Sequence, residues 1–162
     1  MASLYPWFVF VHLIGLVIFA VSHGVSMFAA FRMRAVAQPQ AVQGALDASS
    51  MAMGPMYIGL LLLAVGGLGA AAAGNLWTQP WIIASIVVLV LVVGAMYGVA
   101  TPYYRRVREA VGIEAPGKPP GPPTATQEEL AALLDTKRPE ILLAIGTVGM
   151  LVLVWLMVLK PG

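Results

Sequence analysis

Both histidines of the chain, His12 and His23, lie eleven residues apart in one apolar stretch that carries no charge before Arg32. Three chemistries fit such a pair. Each ring can donate to a carbonyl or hydroxyl on a neighbouring helix, a bond that contributes about 0.6 kcal/mol on average inside a membrane. Imidazole is also the common axial ligand of haem. The chain has no third histidine, so a haem site here takes Met96, Met53, Met56 or Met150 as its second ligand, or a second copy of His12 or His23 from a symmetric dimer. Finally, thioether and imidazole ligands suit Cu(I). His23 and Met27 stand one helical turn apart, and "MAMGPM" adds Met51, Met53 and Met56. His23, Met27, Met53 and Met56 are thus the candidate copper ligands; His12, His23 and Met96 are the candidate ligands of haem b or another tetrapyrrole.

Helical periodicity gathers His12, Gly15, Phe19, Ser22, His23 and Ser26 on one side of the helix. A side that collects imidazoles, hydroxyls and a glycine should face protein, because polar groups are costly against lipid. At about 1.5 Å of rise per residue the two rings stand about 16 Å apart along the helix axis. His23 falls level with Met96, Tyr97 and Thr147, and His12 with Ser85 and Trp155.

The elements that position these rings follow from composition. Of 162 residues, 60% are hydrophobic and 10% charged, and the mean hydropathy is +0.88. A soluble domain carries about 25% charged residues. A spanning helix needs about 20 apolar residues, and four stretches qualify: about 5–31, 55–74, 81–104 (continuing to about 111) and 139–159. The fold class is therefore all-α, a single polytopic four-helix membrane domain over 1–162. The first apolar run lacks a basic flank and a small-residue cleavage site, so it is expected to be retained.

Eight of the nine Lys and Arg, at 32, 34, 105, 106, 108, 118, 137 and 138, lie after the first span or between the third and fourth. Only Lys160 lies on the other side. Arg105, Arg106 and Arg108 also suit anionic lipid, though as a positive-inside flank they need no further role. The positive-inside rule then places loops 32–54 and 112–138 in the cytoplasm and both termini outside. Trp7, Trp77, Trp81 and Trp155 all fall near the opposite, outer interface, where indole prefers to sit. Each cytoplasmic loop is expected to hold a short interfacial helix, one over 41–48 and one following "APGKPPGPP". In the second, Thr126 and Glu129 fit a capping box, and Leu130, Leu133 and Leu134 form a side that would lie on the membrane. Pro55 and Pro102 are expected to start or bend helices.

"HGVSMFAAFRMR" (23–34) and "YGVATPYYRRVR" (97–108) share Gly, Val and two arginines at a constant offset, and "ALDASS" and "LLDTKR" share Leu-Asp. These coincidences point to two parallel helix-pair repeats. Gly66, Ala70, Gly74, Gly94, Gly98, Gly146 and Gly149 supply small residues for close helix packing, Gly94 and Gly98 as a GxxxG pair.

Several functions are excluded. The basic residues flank apolar runs and form no separate patch, so nucleic acid is not a partner. The chain contains no cysteine, which removes thiolate metal sites and a thiol nucleophile. It has no phosphate loop, no Ser-His-Asp set, no HExxH and no acid at mid-membrane for a proton relay. What remains is a non-enzymatic membrane module or accessory subunit, in a homo-oligomer or with other membrane subunits, or else a redox protein built on His12 and His23.

At "VHLIGLVIFAVSHGVSMFAAFRMR", "ATPYYRRVREAVG" and "KRPEILLAIGTVGMLVLVWLMVLKP" the chain resembles a family of small, uncharacterised bacterial four-helix membrane proteins. Its first helix also resembles that of copper-resistance D-type proteins and of four-helix haem-containing protoporphyrinogen oxidases. That resemblance implies haem b first and copper second as cofactor, with His12 as the residue carried over. The second histidine-bearing helix and the mid-membrane lysine of those proteins have no counterpart here, so porphyrinogen oxidation is not implied.

Overall fold

A computed structural model describes residues 4–161. Five helices follow in order: α1 (Tyr5–Val36), α2 (Pro39–Ala73), α3 (Pro80–Ala110), α4 (Gln127–Leu134) and α5 (Arg138–Leu159). All but α4 open with proline in the first turn, where the missing N–H has no intrahelical partner to lose. Four helical stretches, one in each of α1, α2, α3 and α5, are long and apolar enough to cross a membrane. The chain is a multi-pass, all-α membrane protein.

The helices associate as two antiparallel hairpins, α1 with α2 and α3 with α5. Glycine sets the spacing of the first. A Cβ on Gly59 would stand 2.6 Å from the backbone nitrogen of Phe19, and Cβ atoms on Gly15 and Gly66 would collide with the backbones of Leu63 and His12. The second hairpin closes at Gly149, where Val92 occupies the space a side chain would need. Contact between hairpins is sparse along the spans, so a long cleft separates them.

The buried core lies at the end that carries the charges. There Ala29, Ala30 and Met33 of α1, Val42 and Leu46 of α2, Tyr103 and Val107 of α3, and Leu130 and Leu134 of α4 form one buried cluster. Leu46 and Leu134, matched in the sequence repeat, are each 1% exposed within it. The four ion pairs among the described residues are at this same end: Arg34 to Glu140 and to Asp135, and Glu109 to Arg105 and to Lys118.

Two expectations are corrected. The region 32–54 is not a loop holding a short helix over 41–48. α1 runs on to Val36, and α2 begins at Pro39 and continues unbroken through Pro55. Burial of Val42, Ala45, Leu46, Ser49 and Ala52 on one side holds this segment helical, offsetting the backbone bond that proline removes. Pro102, expected to start or bend a helix, lies inside α3. The second correction concerns α4. Its capping box is present, with the Glu129 N–H donating to Thr126 Oγ1 and the Thr126 N–H donating to Glu129 Oε2. Its leucines, however, do not rest on lipid: Leu130 and Leu134 are buried in the protein core and Leu133 packs against it.

Candidate functional site

The cleft between the hairpins widens into two cavities. The one near the apolar end has a volume of about 210 Å³ and is lined by His12, Trp81, Ser85, Met150 and aliphatic residues. The other, of about 640 Å³, lies toward the charged end and is lined by His23, Met27, Met53, Met56, Tyr97, Tyr104 and Arg108, among others. Phe19, Leu60, Val93 and Met96 border both, forming a waist between them.

His12 is held by α2. Its Nδ1 lies 2.7 Å from the carbonyl oxygen of Leu63, and the ring lies over Gly67, where a Cβ would approach Nδ1 to 3.0 Å. A carbonyl can only accept, so Nδ1 carries a proton, and in the neutral ring the lone pair is on Nε2. Metal-ligating histidines commonly show this arrangement, one nitrogen donating to a fixed acceptor while the other faces the ligand. Ser85 does not complete the site, since its hydroxyl donates to the carbonyl of Trp81 one turn back, at 2.7 Å.

His23 is placed differently. Its ring stacks on Phe19 at 5.9 Å between centroids and 4° between planes. Nε2 is buried without a hydrogen-bond partner. It lies against α5 at Gly146, where a Cβ would stand 2.6 Å from it. The face expected to point inward does so: Gly15 and Ser22 are buried, and the Ser49 hydroxyl donates to Ser26 Oγ at 3.3 Å.

The structure thus brings His23, Met27, Met53, Met56 and Met96 to one cavity and leaves His12 on the other, with Met96 at the waist. No three His, Asp or Glu among the described residues lie close enough to hold a metal ion. The packing expected of Gly94 and Gly98 is not found within the chain: nothing lies within 4 Å of a Cβ at either. Of the three arginines that the sequence offers to anionic lipid as well as to a positive-inside flank, Arg105 and Arg108 line the larger cavity and Arg106 does not. Their three-residue spacing, which puts them on one helical face with Tyr104 and Thr101, was the available signal.

Compared with known protein families, curated proteins and solved structures, the chain gives no match.

Proposed function

We propose that this protein is a non-enzymatic membrane module, a subunit of a homo-oligomer or of a larger assembly in the bacterial cytoplasmic membrane, with both termini outside. The observation that carries this is the open face of α3. Gly94 and Gly98 offer a smooth surface with nothing within 4 Å, and Tyr97 between them is 70% exposed. Small residues four apart let a second helix approach closely enough for van der Waals contact to drive association in lipid. Native electrophoresis of detergent-solubilised protein tests it. A discrete multimer or co-purifying subunit that dissociates in Gly98→Ile supports the module; a monomer in both wild type and variant overturns it. Orientation is tested by labelling Gly121→Cys in intact cells, where reaction with an impermeant maleimide added outside would reverse the assignment.

The His12 geometry favours a second reading, a tetrapyrrole-binding redox protein with haem b as the first cofactor to test and copper as the second. His12 has the proton fixed on Nδ1 by Leu63, a lone pair left on Nε2, and a position on the wall of the cleft. When bound, haem would supply one-electron chemistry, while His12 would ligate it and Met96 or Met150 would stand across the cavity. His23 fits a ligand role less well, because its Nε2 is covered by α5. An absorption spectrum of protein expressed with haem and copper supplied, with metal analysis alongside, decides the matter. A Soret band lost in His12→Ala and kept in His23→Ala supports it; no Soret band and no stoichiometric copper ends it.

A further inference from the structure

We propose that the larger cavity is a binding site for an anionic lipid, with the phosphate head on Arg108 and the acyl body lying inward toward Met96 and His23. This site stands apart from the His12 cavity and does not depend on a cofactor there.

The charge at the mouth selects the ligand. Arg105 and Arg108 both line this cavity, but Arg105 is occupied by Glu109, its Nε 3.0 Å from the carboxylate. Arg108 is half-buried and makes no ion pair among the described residues. Its guanidinium is held in place by neutral acceptors only, the hydroxyl of Ser50 at 2.9 Å and the carbonyl of Glu114. A guanidinium has five N–H donors and no acceptor, so an oriented but unpaired one at a cavity mouth is complementary to an anion. Glu114 also borders the mouth; its side chain is exposed to water, which screens its charge.

Behind Arg108 the wall turns apolar. Met53, Met56 and Met96 supply flexible, unbranched side chains that repack around a chain of variable shape. The volume, about 640 Å³, falls within the range of about 300–1,000 Å³ typical of small-molecule sites. The source follows from the openings. Pro116 and Gly117, on a turn closed by Ala115 and Lys118, border the aqueous end. On the lipid side α2 and α3 scarcely touch, and the exposed Tyr57 and Tyr97 flank the gap. A lipid of the leaflet at the charged end can enter sideways, head at Arg108 and tail between the hairpins.

Native mass spectrometry of the full chain in a non-ionic detergent tests this, with phosphatidylglycerol, phosphatidylcholine, oleate and inorganic phosphate titrated separately. One phosphatidylglycerol should bind, at least about fivefold tighter than phosphatidylcholine. Arg108→Gln should abolish that preference while Arg106→Gln, which alters a charge outside the cavity wall, retains it. Met96→Trp, which fills the cavity and leaves Arg108 intact, should weaken binding, so the proposal stays testable even if the arginine variant does not fold. Equal binding of the two phospholipids overturns the proposal, as does equal loss in Arg106→Gln and Arg108→Gln. Saturable oleate or inorganic phosphate with no phosphatidylglycerol bound would overturn the lipid source.

Discussion

The Nε2 of His23 rests against Gly146 of α5, buried and with no hydrogen-bond partner. One hairpin thus meets the other through an imidazole edge pressed on a glycine. A methyl at Gly146 would stand 2.6 Å from that nitrogen, so Gly146→Ala should cost about 1–3 kcal/mol through overpacking. Most of that cost should vanish in a His23→Ala background, giving a coupling energy in a double-mutant cycle of reversible unfolding in mixed micelles. Additive costs would show that the ring does not set the approach of α1 to α5. Because Nε2 satisfies no bond, His23→Leu should be nearly neutral or stabilising.

Glycines that look alike in the sequence should behave oppositely. Gly59→Ala places a Cβ 2.6 Å from the α1 backbone, and backbone cannot rotate aside. A loss of at least about 2 kcal/mol is expected, read as lowered thermal stability in detergent. Gly94→Ala meets nothing within 4 Å in this chain and should leave the fold unchanged. A comparable loss at Gly94 in a proven monomer would contradict the packing described here.

The bond from His12 to Leu63 should contribute about 0.6 kcal/mol, the mean for interhelical bonds in membranes, because the unfolded chain in lipid also finds partners. His12→Ala is therefore expected to lower stability modestly while leaving helix content by circular dichroism intact. A collapse of the fold would mean that the imidazole carries packing between α1 and α2 that the glycines do not.

Docking of α4 separates protein contact from lipid contact. Leu134 is 1% exposed in the protein core, so Leu134→Ala should cost about 2–5 kcal/mol and speed proteolysis in the segment 112–126. Had α4 lain on the bilayer, the same change would only weaken surface attachment. Thr126→Ala, which removes the cap, should cost about 1 kcal/mol and increase the same cleavage without altering the four spans.

The number and order of the long apolar helices were legible in the sequence, since about 20 uncharged residues in a row admit little but a membrane helix. The inward side of α1 was legible too, because lipid penalises polar groups wherever they face it. So was the capping box, a purely local pattern from Thr126 to Glu129. Only tertiary structure decided that 39–54 joins one long helix through Pro55 and that the α4 leucines meet protein. Both depend on partners distant in sequence, Ala30 and Met33 on one side and Val107 on another. The division of the histidines by depth was legible from the helical rise, with Ser85 beside His12 and Met96 and Tyr97 beside His23. The contact each ring makes was not: His12 is bonded to a carbonyl of α2, while His23 is closed off by α5. Periodicity reports which side of a helix faces inward. Which neighbour waits there, and whether it leaves a cavity with an arginine at its mouth, is set by how two hairpins with few mutual contacts come to rest beside each other.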